Sequence, residues 1–246
     1  MVKLATGSPC AAASHAHLNL LIKGLKKQEP KPNQQRQALT LDILTKCIRT
    51  LRAGYASPAT NACLEAMLLL GFFGFLRCAE FTARSRTFNP AIHATMADLA
   101  FPSPKRLIFT LKQSKTNQSG PAQQIFLFKL QSEISPYEPL ARHVQFRSSS
   151  HATALDPLFV DECNKVASRA WFLRHLRLIL ARTGLDPSNY SGHSLRLGAA
   201  TSAARSGLPD RVIQQLGRWS SHAYTAYIRS NVADIQNAHS LLTSQI

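Results

Sequence analysis

Hydrophobic and polar positions sort the chain into four regions of different rhythm. Residues 1–39 hold little periodicity. Met1 to His17 is rich in Ala with scattered Ser and His, and Leu18 to Leu25 has the pattern of a short helix. Lys26 to Arg36 is polar, carries Pro30 and Pro32, and reads as a linker. From Thr40 the pattern tightens. Thr40 suits a helix cap, and Leu41, Ile43 or Leu44, Ile48 and Leu51 fall on one side of a helix running to about Arg52. Ser57-Pro58 opens a second helix, since proline fits the first helical turn. Leu64, Met67, Leu68 and Phe72 make it apolar nearly all round, so it belongs in the core, with Gly71 and Gly74 marking its end or a close packing contact.

The middle changes period. Leu107–Leu111 and Gln124–Phe128 are short runs rich in Ile and Phe, and they flank the polar segment Lys112 to Pro121. That pattern predicts a β-hairpin, extended by a strand over Ala97 to Phe101. Helical spacing returns at Tyr137 to Arg147, and Leu158-Phe159-Val160 is a short extended piece. Helices are then predicted over Lys165–Thr183, His193–Ser206, Asp210–Leu216, Ser221–Arg229 and Ala233–Leu242. The predicted fold class is α+β: a mostly helical domain with one small antiparallel sheet.

Charge narrows the class of partner. The 246 residues hold 29 Lys and Arg against 13 Asp and Glu, a formal net charge of +16. That excess favours a polyanionic partner, nucleic acid first. The longest apolar run, Leu64 to Leu76, contains Glu65 and is too short to span a bilayer, so no membrane partner is expected. No secretory signal reads at the N-terminus. Five irregularly spaced cysteines, with no Cys-x-x-Cys pair, give neither a disulfide framework nor a zinc knuckle and suit a reducing intracellular compartment.

Three separated clusters hold the candidate chemistry. In the first, Arg77 follows the apolar helix and Glu80 stands three residues on; alone, this suits an ion pair at a helix end. The second is Ser114-Lys115-Thr116, in the predicted hairpin, where a lone lysine is ordinarily just solvated. The third begins Ser191-Gly192-His193-Ser194-Leu195-Arg196 and closes with Gly217-Arg218-Trp219 and Tyr224-Thr225-Ala226-Tyr227-Ile228-Arg229. His193 and Arg196 are three apart, on one face if helical, where an imidazole and a guanidinium can grip a phosphate; a helix cap plus a solvated charge would give the same spacing.

Taken in order, Arg77, Lys115, His193-x-x-Arg196, Trp219 and Tyr227 resemble the tyrosine recombinase (phage integrase) family. The Gly192-His193-Ser194-x-Arg196 start and the Tyr227-Ile228-Arg229 ending resemble Cre. The wording Leu216-Gly217-Arg218-Trp219-Ser220-Ser221 through Arg229 is closest to eukaryotic mobile-element recombinases of the DIRS-like and Crypton types. Trp219 and Tyr227 are eight residues apart, one fewer than in Cre.

The resemblance implies a DNA breaking and rejoining enzyme. Tyr227 would be the nucleophile, with Tyr224 its rival one helical turn earlier. Arg77 and Arg196 would clasp the phosphate oxygens, and Lys115 would protonate the departing 5′ oxygen. His193 would hydrogen-bond the phosphate or help take the tyrosine proton. Trp219 would pack the site, with Glu80 and Gly192 as supports and Arg218 touching the DNA backbone. No metal or cofactor is needed for that scheme. It further implies a catalytic domain over residues 40–230 and a tail, 231–246, exchanged within a tetramer on double-stranded DNA. Location would be nuclear. Family members usually carry a core-binding domain of roughly a hundred residues ahead of the catalytic one; only an arm and linker, 1–39, precede it here, which predicts a truncated copy. Two alternatives stand beside this reading: a catalytically impaired DNA-binding remnant, and a type IB topoisomerase-like activity.

Overall fold

The structure, a computed structural model, describes residues 36–114 and 120–228. The predicted helices at Leu18–Leu25 and Ala233–Leu242 lie outside the described residues, as does Lys115.

Helix α1, Leu41–Arg52, buries Leu44, Cys47, Ile48 and Leu51, the one-face pattern that a 3.6-residue period imposes. Thr40 departs from the expected role: its hydroxyl makes no capping bond. The Leu41 amide instead donates to Ser202 Oγ at 3.0 Å, so the cap comes from a distant helix. Helix α2, Pro58–Phe73, is capped by Ser57, whose Oγ accepts from the Thr60 amide at 3.2 Å. Its buried positions run from Thr60 to Phe72 on every side, so it is the central helix. Glu65 is buried within it and held by Arg52 at 2.7 Å, because a buried carboxylate requires a partner.

A four-residue helix, α3, spans Cys78–Phe81. The sheet follows as β1 (Leu99–Ser103), β2 (Arg106–Leu111) and β3 (Gln123–Phe128), antiparallel in the order β1-β2-β3. A 3₁₀ turn at Met96–Asp98 takes the first part of the strand expected from Ala97, since Asp98 accepts from the Thr95 amide at 2.7 Å and bends the chain there. Leu107, Phe109, Leu111, Ile125 and Leu127 face the core.

Helix α4 runs Tyr137–Ser149 and α5 Arg169–Arg182. The expected start of α5 at Lys165 is corrected to Arg169. Val166 pairs with Val160 and Ser168 with Ala83, so residues 166–168 are extended, and Ser168 then caps the helix through the Trp171 amide. Helix α6 is Ser194–Arg205 and α7 Asp210–Gly217. The segment expected as a helix over Ser221–Arg229 is a 3₁₀ helix, His222–Tyr227. Residues 36–39 thread over α6: the Leu39 amide donates to the Ser194 carbonyl at 2.9 Å, and Leu39 is buried. A Cβ at Gly198 would stand 1.7 Å from the Leu39 carbonyl oxygen, so only glycine admits that crossing. Among the described residues, no helix is long and apolar enough to cross a membrane.

Candidate active site

The site begins where α2 ends. The last turn of a helix leaves carbonyls without intrahelical partners and a partial negative charge. Here the chain passes Gly74 and turns at Phe75, which takes the left-handed conformation at φ 49°. The amides of Gly74, Phe75 and Leu76 take the last-turn carbonyls of Leu70, Phe72 and Gly71, and two arginines take the carbonyls of Gly74 and Phe75 just past the helix. Arg196 Nη1 donates to the Phe75 carbonyl at 2.5 Å, and Arg218 donates to the Gly74 carbonyl at 2.9 Å and to that of Phe75 at 3.3 Å. Arg218 is itself left-handed, at φ 55°, and ends α7. Both cations thus fix the turn that follows α2 from more than a hundred residues away.

Arg77 stands just before α3. Glu80 accepts from the Arg77 amide at 2.8 Å and from its Nη1 at 2.9 Å, and Arg218 lies 3.8 Å from the same carboxylate. One buried carboxylate therefore serves as counter-ion in a group of three guanidinium side chains. Burial, first, lowers the pKa of Arg196 to about 10, with Arg77 and Arg218 adding repulsion. Burial, again first, lowers that of Arg218, with Glu80 opposing and Arg77 adding repulsion. Arg196 still carries its proton near neutrality, at an electrostatic cost that an added anion would relieve.

Arg196 is 1 % exposed. Its second fork nitrogen donates to the Gly217 carbonyl at 2.5 Å, and its guanidinium lies 4.3 Å from the centre of the Trp219 ring and 5.7 Å from that of Tyr227. Trp219 packs over Gly217 so closely that a Cβ there would meet the ring at 1.6 Å. The Trp219 and Tyr227 rings are 5.2 Å apart. Two donors in this layer, Arg196 Nε and Trp219 Nε1, are buried without an acceptor. Each such orphan costs about 1–3 kcal/mol, so the layer lacks an acceptor group.

The two tyrosines differ. Tyr224 is 2 % exposed, and a hydrogen bond with Asp210 leads the causes that raise its pKa above the usual phenol value. Tyr227 is half-buried, and its backbone carbonyl accepts from Thr201 Oγ1 at 3.1 Å. Tyr227 therefore shares the arginine layer, while Tyr224 is packed beneath Trp219 at 6.2 Å.

His193 does not open the helix from within; it precedes α6 as its cap residue and is exposed. Its spacing to Arg196 thus leaves the imidazole at the surface and the guanidinium in the core. Gly192 is buried against the first cluster: its carbonyl accepts from the Cys78 amide at 3.3 Å, and a Cβ on it would stand 3.0 Å from Cys78 Cβ. The motifs around Arg77 and His193 therefore meet at one seam.

A cleft of about 900 Å³ opens beside this seam, lined by Arg77, Glu80, His93, Gln113 and Ser114 among others. Gln113 and Ser114, which follow β2 and immediately precede Lys115 in sequence, line the cleft. Arg84 and Arg169 also line it. Neither belongs to the three sequence clusters: Arg84 stands outside any predicted element, and Arg169 is one of several arginines along the helix predicted over Lys165–Thr183. Among the described residues, no three His, Cys, Asp or Glu side chains group as a metal site would require.

No family model matches the sequence. No curated protein matches it either. Solved structures do resemble the fold. XerH site-specific recombinase bound to palindromic difH substrate, in a post-cleavage complex, aligns with a TM-score of 0.62 at 15% identity over 84% of this chain and 52% of that one. XerA recombinase gives 0.61 at 19% identity over 93% and 76% of the two chains. A lambda integrase dimer bound to a COC′ core site gives 0.54 at 17% identity over 79% and 48%. The chain spans about half the length of the XerH and lambda integrase chains it matches. What the alignment establishes is the fold, that of the tyrosine-recombinase catalytic domain, mostly helical with a three-stranded antiparallel sheet.

Proposed function

We propose that this chain is the catalytic part of a DNA breaking and rejoining enzyme, a site-specific recombinase or integrase that works through a 3′-phosphotyrosine intermediate. The observation that carries the proposal is the pair of orphan donors, Arg196 Nε and Trp219 Nε1, buried in the same layer as the Tyr227 ring. A phosphodiester has the acceptor oxygens and the negative charge that this layer lacks.

In this reading the Tyr227 hydroxyl oxygen attacks the phosphorus. A Tyr227–phosphate bond forms, the bond to the 5′ oxygen breaks, and Lys115 gives that oxygen its proton. His193, exposed at the start of α6, hydrogen-bonds the phosphate or takes the tyrosine proton. Arg77 and Arg196 offset the extra charge of the five-coordinate transition state, which they bind more tightly than the ground state. Glu80 does not meet the phosphate, because it is already bound by Arg77; it fixes where Arg77 points. A 5′ hydroxyl then attacks the phosphotyrosine and reverses the bond changes, so no outside energy source enters.

The finer assignment is a eukaryotic mobile-element recombinase of the DIRS-like or Crypton type, acting in the nucleus as a tetramer on double-stranded DNA. Its support is the wording from Leu216 to Arg229. The test is a nicked suicide duplex incubated with the protein without magnesium. A covalent complex that survives denaturant is expected from the wild type and from Tyr224→Phe. Its absence from the wild type under conditions of full DNA binding would refute the activity.

A further inference from the structure

Two arginines outside the group around Tyr227 form a pair of their own. The Ala83 amide donates to the Ala167 carbonyl at 3.1 Å, and the Arg169 amide donates back to the Ala83 carbonyl at 2.8 Å. This short parallel bridge holds residues 83–84 beside residues 168–169. Arg84 and Arg169 are both exposed, and both line the cleft that Arg77 lines. The Arg169 side chain reaches the seam between the two motifs: a Cβ on Gly192 would stand 3.3 Å from its Nη2. Its fork therefore lies beside Gly192, the residue before His193, and near Cys78, the residue after Arg77.

What separates this pair from the other arginines of the region is what they bind. Arg77 is tied to Glu80, Arg196 and Arg218 to backbone carbonyls, and Arg86 to Asp161 at 3.4 Å. Among the described residues, neither Arg84 nor Arg169 takes a carboxylate or a carbonyl. The carboxylate that lines the same cleft, Glu80, is already neutralised by Arg77 and Arg218.

We propose that Arg84 and Arg169 form a second phosphate-binding site, which holds a DNA backbone phosphate other than the reacting one. This rests on the reading of the chain as a DNA strand transferase. In that reading Arg77, Arg196 and Trp219 supply donors for the reacting phosphate, so two further forks in the cleft that Arg77 lines serve a neighbouring phosphate of the bound strand. The pair acts by positioning: it fixes the register of the strand and does no chemistry.

The test counts phosphate contacts. Binding of a 30-base-pair duplex of mixed sequence, about that length chosen to cover the basic face, is measured from 50 to 200 mM salt, where each neutralised phosphate contributes about 0.9 to the slope of log affinity against log salt. Arg84→Ala and Arg169→Ala should each make the slope shallower by about 0.9, and the double variant by about 1.8. Arg169→Lys keeps the charge and should keep the wild-type slope, which separates a lost contact from a damaged fold. Arg86→Ala, whose side chain already has a carboxylate, should leave the slope unchanged. A steep wild-type slope that neither alanine variant alters, or an equal loss in Arg86→Ala, would overturn the second site and leave the main reading standing. A flat wild-type slope would instead remove the DNA reading itself.

Discussion

At the scale of single residues, the site is built by groups whose usual partners have been exchanged. Arg196 is a buried cation whose fork is spent on the carbonyls of Phe75 and Gly217, leaving only Nε without an acceptor. Lysine at this position has one compact ammonium and cannot reach both carbonyls with a planar fork. Arg196→Lys should therefore lower stability by about 1–3 kcal/mol, by leaving a buried carbonyl unpaired. It should lower strand cleavage by about a hundredfold or more while duplex binding falls far less. Thermal unfolding and adduct yield at saturating DNA check the two halves of that statement. The arginine itself was legible in the sequence, three residues after His193. Its burial was not, because the carbonyls that hold it belong to Phe75 and Gly217, which no local spacing connects to it. For His193 the spacing argued a shared helical face, yet the helix starts one residue later and leaves the imidazole exposed.

Elements with a strong period were readable. Helix α1 shows its buried face in every turn, α2 is apolar throughout, and the β2–β3 pair alternates as a half-buried hairpin must. Short elements set by hydrogen bonds were not. Helix α3 is a single turn, too short for periodicity, and it is the one that aims Arg77. The extended residues 166–168 look helical in sequence because Val166 and Ala167 continue the apolar pattern of α5, but the Ala167 amide donates to the Phe159 carbonyl and the Ala167 carbonyl accepts from the Ala83 amide. The crossing at Gly198 was equally hidden. Gly198→Ala forces a Cβ against the Leu39 backbone two residues beyond Arg196. It should cost about 1–3 kcal/mol of stability, as overpacking does. It should also weaken cleavage through the displaced helix, read as a lower unfolding midpoint together with a lower adduct yield.

Across the whole molecule, charge and burial set how the protein responds to its solution. His143 is buried on α4, its Nε2 donating to the Leu158 carbonyl at 2.8 Å, and burial holds its pKa down at about 4 rather than 6.5. Between those values the unfolded chain binds a proton that the folded chain refuses. Stability from this group is thus whole above about pH 6.5 and is lost as the pH falls toward 4, by up to roughly 3 kcal/mol. His143→Gln keeps a donor for the carbonyl and cannot titrate, so its unfolding midpoint should fall less between pH 7 and pH 4 than that of the wild type; equal falls would contradict the assignment.

The proposed function turns on Tyr227, in the layer with Arg196 and Trp219, as the residue that joins DNA. The direct measurement is to form the adduct on a nicked suicide duplex, digest DNA and protein, and fragment the tryptic peptide Trp219–Arg229 by mass spectrometry. That peptide contains both Tyr224 and Tyr227, so one spectrum decides between them. The prediction is a nucleotide mass on Tyr227 alone, absent from Tyr227→Phe and present in Tyr224→Phe. A nucleotide on Tyr224, or an adduct that persists in Tyr227→Phe, would contradict the account.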